Sequence, residues 1–136
     1  MEGGLFYMQK KFIEEAENQC VIAIITECNT AKGEARETSL KTGSVLDMFD
    51  MAFGQDTAAD TTYKGVARCS GGDVFNPETG RVIAGQKASH KYHKSMAKQY
   101  NRYIAMLEDT VTVLEQLRNI HIKKSLNIEE NLKKYS

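Results

Sequence analysis

The last proline of the chain is Pro77 and its last glycine is Gly85, so everything beyond residue 85 lacks the two residues that most readily end a helix. Just ahead of that stretch, "NPETG" reads as a helix start. Asn76 sits at the N-cap, where its side-chain oxygen can accept an orphan backbone N–H. Pro77 falls at the first helical position and loses nothing there, because that N–H has no intrahelical partner. Glu78 suits the positive end of the helix dipole. Phe75, one residue before the cap, is placed to staple onto the first turns. Tyr92, Met96, Tyr100, Tyr103, Leu107, Val111, Leu114 and Leu117 then recur in steps of three and four. The spacing predicts one long amphipathic helix to about Asn119, roughly 60 Å of rod. Such a coiled-coil-type stripe needs a second surface, either the chain folding back or another subunit. The tail "NIHIKKSLNIEENLKKYS" reads as a short second helix, with Ser125 as cap and Ile128 and Leu132 facing inward.

The first half is more mixed. "YMQKKFIEEAENQ", residues 7–19, has helix-forming composition, and Tyr7, Met8, Phe12 and Ile13 fall at helical spacing, so a short helix is expected. "CVIAIITECNT" is apolar and β-branched and reads as a strand. "NTAKGEARE" reads as a turn around Gly33. In "GSVLDMFD", Ser44 followed by Asp47 resembles a capping box and suggests a short helix; "GQDTAAD" after it is polar and turn-like. "TTYKGVARCS", residues 61–70, reads as a second strand paired with the first. The expected fold is α+β: a small antiparallel sheet with short helices, then the long C-terminal amphipathic helix and the tail helix. A single domain is expected, with residues 1–75 as β-rich core and 76–136 as helical part.

Charge is distributed unevenly. Eighteen basic residues balance eighteen acidic ones over the 136-residue chain. Yet residues 79–107 hold Arg81, Lys87, Lys91, Lys94, Lys98 and Arg102 and no acid, which leaves twelve basic against eighteen acidic residues elsewhere. Lys87, Lys91, Lys94, Lys98 and Arg102 share one helical face, with His90 and His93 at its edge. Like charges at i, i+4 cost a helix stability, and an anionic partner offsets that cost. Tyrosines beside lysines suit a ligand with both phosphates and bases. Three readings of the stripe stand side by side: a solvated face, a partner for the chain's own Glu14, Glu15 and Glu17, or a ligand surface. On the last, the candidate ligand-binding residues are Phe75, Asn76, Arg81, Lys87, His90, Lys91, Tyr92, Lys94 and Arg102. Phe75 or Tyr92 would stack on a base, and the N–H groups at residues 77–80 would meet an anion.

Other chemistry is sparse. Cys20, Cys28 and Cys69 are an odd number without CxxC spacing and read as reduced thiols, with His90, His93 and His121 at no finger-like distance from them. Cys69, at a strand end, reads as a structural thiol, and Asp73 as a turn cap. Asp47 and Asp50 are three apart and read as exposed helix positions before they read as metal ligands. There is no Walker loop, GxGxxG, HExxH or nucleophile elbow, so no catalytic residue, metal or cofactor is assigned. The longest apolar run, residues 20–25, is too short to span a bilayer, and "MEGGLFYMQKKF" lacks the features of a secretory signal. A cytoplasmic protein that does not engage membranes is expected.

"YKGVARCSGGDVFNPETGRVIAGQKA", residues 63–88, resembles a group of small bacteriophage proteins. Their pattern is a strand ending Ala-x-Cys, a short polar loop with Asp and Phe, then Gly-x-x-x-Ala opening a helix. Here those positions are Ala67, Cys69, Asp73, Phe75, Gly80 and Ala84; "SGG" replaces a proline and an acidic residue of the pattern. The build, a small β-core bearing long C-terminal helices, also resembles the anti-Thoeris sponge proteins. That resemblance implies a phage anti-defence oligomer that sequesters cyclic ADP-ribose isomers or cyclic oligonucleotides without catalysis, acting in the host cytoplasm. It carries over no ligand residue. The competing expectations are a phage inhibitor docking its long helix on a host defence or nucleic-acid enzyme, and a nucleic-acid-binding module.

Overall fold

The computed structural model describes residues 9–26, 30–54, 62–69 and 74–135. The elements in chain order are β1 (Gln9–Glu15), β2 (Cys20–Thr26), α1 (Ala31–Thr38), α2 (Leu40–Phe53), β3 (Tyr63–Arg68) and α3 (Pro77–Lys133). The fold is α+β and mostly helical, with one three-stranded antiparallel sheet in the order β1-β2-β3. The chain divides into two units, Met1–Asn101 and Arg102–Ser136. Tyr7, Met8, Cys28, Asp73 and most of "GQDTAAD" lie outside the described residues.

In the first unit, β2 is the central strand. Its alternation sends Val21, Ala23 and Ile25 to one face, where all three are fully buried. The register brings Tyr63, Gly65 and Ala67 of β3 and Lys10, Phe12 and Glu14 of β1 beside them. This face is covered by residues 77–101 of α3. The buried side of that helix recurs every fourth residue: Gly80, Ala84, Ala88, Tyr92 and Met96. Its first three members are small, which lets the helix backbone lie directly on the sheet. A Cβ on Gly65 would stand 2.2 Å from the Ala84 carbonyl oxygen and 2.5 Å from the Ala88 nitrogen, and one on Gly80 would stand 2.6 Å from Val21 Cγ2. The Tyr63 hydroxyl donates to Ser95 Oγ at 2.8 Å, and Lys10 Nζ donates to Ser89 Oγ at 3.0 Å. Helix and sheet are thus tied on both flanks.

Residues 9–15, expected as a helix, form β1. A central strand buried on one face and needing partners at both edges outweighs the weak helical preference of "QKKFIEE". The reversal at residues 16–19 is closed by a Gln19 N–H bond to the Ala16 carbonyl at 3.2 Å, with Gln19 at φ 47°. The pairing of β3 with β2 is as the sequence implied. The buried set of β3, however, is Tyr63, Gly65 and Ala67, and Val66 points to the opposite face.

The turn expected at Gly33 is instead α1. Thr30 caps it, its hydroxyl accepting from Gly33 N–H at 3.1 Å. The helix capped by Ser44 starts earlier, at Ser39, whose hydroxyl accepts from Thr42 N–H. Ser44 sits inside α2 and returns its hydroxyl to the Leu40 carbonyl. Gly54, at φ 84°, ends α2 in a conformation that favours glycine. α1 meets α3 through Ala31 N–H donating to Gln99 Oε1 at 3.1 Å and through the Tyr100 hydroxyl bonded to Glu34. Burial, reinforced by Glu34, pushes the Tyr100 phenol well above its ordinary range.

The two carboxylates three apart are not the exposed pair expected. Lys32 of α1 bridges Asp47 at 3.1 Å and Asp50 at 3.0 Å, Arg36 also pairs with Asp47, and Asp50 is buried. Their hydrogen bonds raise the Lys32 pKa, Asp50 contributing most, and lower that of Asp47, Lys32 contributing most.

In the second unit the described residues form a single helix, closed by a turn in which Lys134 and Tyr135 N–H groups bond the Asn131 and Leu132 carbonyls. The tail therefore does not make a separate helix. Ser125 offers its short side chain inside a helix that nothing before Lys133 interrupts, so no cap is needed there. No helix among the described residues is long and apolar enough to cross a membrane.

Gly65→Ala is expected to lower the melting temperature by the equivalent of about 1–3 kcal/mol, since the added methyl meets helix backbone that cannot rotate away; calorimetry on the purified variant reads this. Lys32→Met is expected to cost more than the ~1 kcal/mol of an exposed pair and less than the ~3–5 of a buried one. The Asp47 contribution is present above that group's ordinary 3.8 and lost as pH falls through its lower folded value. The Lys32 contribution is present below 10.5 and lost as pH rises through its higher folded value. A melting series from pH 3 to pH 11 should show the deficit of the variant shrinking at both ends.

Candidate functional site

α3 carries its cations on two flanks of the sheet. On the β1 flank, Arg81 pairs with Glu14 and borders an open depression of about 390 Å³ with Lys10, Phe12 and Gly85. Its charge is thus met by the chain's own carboxylate, although Arg81 stands outside the five-residue stripe for which that pairing was one reading.

The β3 flank differs. β3 is an edge strand among the described residues, and its outward carbonyls would otherwise face solvent. Lys87 Nζ donates to the Val66 carbonyl at 3.0 Å and Lys91 Nζ to the Lys64 carbonyl at 2.7 Å. Residues four apart on the helix thereby meet carbonyls two apart on the strand. Between helix and strand runs an open groove of about 660 Å³, lined by Gly65, Val66, Ile83, Gln86, Lys87, His90 and Lys91. No acidic side chain is among these. A carbonyl satisfies one N–H of an ammonium and leaves its charge and two further donors unused. The groove therefore presents two ammonium groups held on backbone carbonyls, an exposed imidazole and a primary amide beside the apolar surface of Ile83.

The other predicted residues are not brought together there. Tyr92 is 4% exposed and packs edge-on between Tyr63, at 5.5 Å, and His93, at 5.0 Å, so it belongs to the core and cannot stack on a ligand. Phe75 is half-buried against the same core and lines a separate depression of about 220 Å³ with Asn76, Cys69 and Thr79. The expected anion site at the helix start is also filled from within. Asn76 Oδ1 accepts from Glu78 N–H at 3.0 Å and Thr79 N–H at 3.3 Å, and the Asn76 carbonyl accepts from Gly80 N–H at 2.9 Å. Pro77 has no N–H. The N-cap is as the sequence implied, and that same cap consumes the donors a ligand would have used. Lys94 is exposed, and Arg102, in the second unit, lies 5.3 Å over the Tyr103 ring.

Gln86 and Ile83 are groove residues that sequence reasoning missed. The signal was available: Ile83, Lys87 and Lys91 are spaced by four, and Gln86 and His90 form the adjacent row. What the sequence could not give is the β3 edge beneath them. Cys20 is buried, its Sγ 3.6 Å from Glu15 Oε2; burial raises its pKa, which is the behaviour of an inert thiol. Among the described residues no cluster of three or more His, Cys, Asp or Glu could hold a metal. No family model, curated protein or solved structure matches the chain.

Asn76→Ala is expected to cost about 1 kcal/mol of stability, the usual worth of an N-cap, and to be nearly silent as Asn76→Ser or Asn76→Asp; urea titrations of the three variants distinguish a cap from a ligand contact.

Proposed function

We propose that this chain binds a phosphate-bearing nucleotide in the groove between α3 and β3 and holds it without chemistry. In this reading it is a sequestering protein of the phage anti-defence kind, acting in the host cytoplasm as a homo-oligomer joined through α3. The observation that carries the proposal is the pair of ammonium groups of Lys87 and Lys91, anchored on backbone carbonyls in a groove with no acid in its lining. Anchoring matters energetically. A free lysine loses side-chain entropy when it grips a ligand, and a lysine already bonded to a carbonyl has less of it left to lose. The volume falls within the range of small-molecule sites. His90 and Gln86 add hydrogen-bonding groups at the rim, and Ile83 offers an apolar surface against which a base can lie. Sequestration asks these residues for affinity alone. Cyclic ADP-ribose isomers and cyclic oligonucleotides are the ligands that the sponge resemblance implies.

The test is a thermal-shift and calorimetric panel of cyclic dinucleotides, cyclic ADP-ribose isomers and the matching nucleosides without phosphate. A phosphorylated member is expected to raise the melting temperature while the nucleosides do not; at a hundred times its Kd the ligand adds about 2.7 kcal/mol. Lys87→Gln with Lys91→Gln should abolish the shift, because the neutral amides stay polar but carry no charge to meet a phosphate. A shift that persists in the double variant, or a panel without any shift, rejects the groove as a nucleotide site. Affinity that instead falls steeply with salt, by several phosphates' worth of slope, assigns the groove to a nucleic acid strand.

A further inference from the structure

The second unit exposes an apolar row that nothing in the chain's own described residues covers. Ile104, Val111, Leu114, Ile128 and Leu132 are each about half exposed or more, from 49% to 63%; Leu117 and Ile122 beside the row and Val113, Ile120 and Leu126 away from it are exposed to a similar degree. Together with half-buried Leu107 they follow a heptad. Position a is Ile104, Val111, Arg118, Ser125 and Leu132; position d is Leu107, Leu114, His121 and Ile128. We infer that residues 104–132 pair with the same segment of a second copy, parallel and in register, as a two-stranded coiled coil. This rests on the homo-oligomer part of the reading above and gives it an orientation, a register and a strand number.

Three observations choose this partner. The first is charge at the flanking positions. Position e holds Glu108, Glu115, Ile122 and Glu129, and position g holds Tyr103, Thr110, Leu117 and Lys124. In a parallel pair each g residue meets the e residue five positions on in the other chain. That sets Lys124 against Glu129 and Leu117 against Ile122, twice over, and opposes no like charges at these flanking positions. In an antiparallel pair with full overlap, e faces e, and Glu108 would meet Glu129 at both ends. The second is the polar interruption. Arg118, His121 and Ser125 occupy the middle of the seam. A slip of one heptad would bury Arg118 against Val111, whereas the in-register pair gathers the polar layers together, with the two Arg118 side chains reaching out of the seam to keep their like charges apart; polar groups at core positions are what fix register. The third is side-chain shape. β-branched Ile104 and Val111 at a, with Leu107 and Leu114 at d, favour two strands over three or four.

The test uses the full chain. Sedimentation equilibrium at tens of micromolar should give twice the 15.3 kDa chain mass, and Leu114→Asp should return it to one chain. Because Leu114 is 59% exposed in the single chain, this variant should keep its circular dichroism. For orientation, Val111→Cys and Ile128→Cys are oxidised separately and as a mixture, with Asp109→Cys, on the outer face, as control. Links of 111 to 111 and of 128 to 128, mapped by mass spectrometry and above those of the parent's own thiols, support the inference. A 111-to-128 link overturns the orientation. A mass of three or four chains overturns the strand number, and a single-chain mass for the parent overturns the pairing altogether. A parent that weighs two chains but shows no nucleotide shift sinks the groove reading and leaves the seam standing.

Discussion

The first unit depends on how closely a helix backbone can approach a sheet. Gly65 faces Ala84 and Ala88, and Gly80 faces Val21, at distances where even one methyl would collide. Small residues every fourth position on α3, set against the buried face of β2 and β3, bring the two layers together. Only at that separation do Lys87 and Lys91 reach the β3 carbonyls and Tyr63 reach Ser95. The groove is thus a by-product of the close contact: a wider spacing would leave its lysines in open water with nothing to fix them.

Much of this was legible in the sequence, and the failures share a cause. The cap at Asn76, the long helix, the strand at residues 20–26 and its pairing with residues 63–68 all follow from local chemistry and periodicity. β1 did not, because "QKKFIEE" has no strong preference of its own and takes the conformation that its neighbour requires. α1 was hidden by Gly33, which reads as a turn residue but sits in the first helical turn, where glycine costs little and Thr30 supplies the cap. The end of α3 was set too early because apolar spacing was followed to Leu117, whereas the absence of breakers already allowed the helix to reach Lys133.

The candidate site was legible in part. The basic row was visible, but charge on a helical wheel does not say which cations are already used. Arg81 is neutralised by Glu14, and the helix N-terminus is satisfied by Asn76. Lys87 and Lys91, by contrast, are held on backbone carbonyls, which position them without neutralising their charge. That distinction requires knowing what lies across from each residue, which is tertiary information. Tyr92 shows the converse: a tyrosine at the right spacing for stacking is equally at the right spacing for the core, and burial decided between them.

The lysine-to-carbonyl contacts have an effect on the sheet itself. A bare outer strand is a template on which a foreign strand can polymerise. Along β3 that template is occupied: a newcomer would have to evict two cations from Lys64 and Val66 and find room beside a helix that already overhangs them. Sheet growth is therefore opposed on that side by contacts that the sheet does not need for its own pairing.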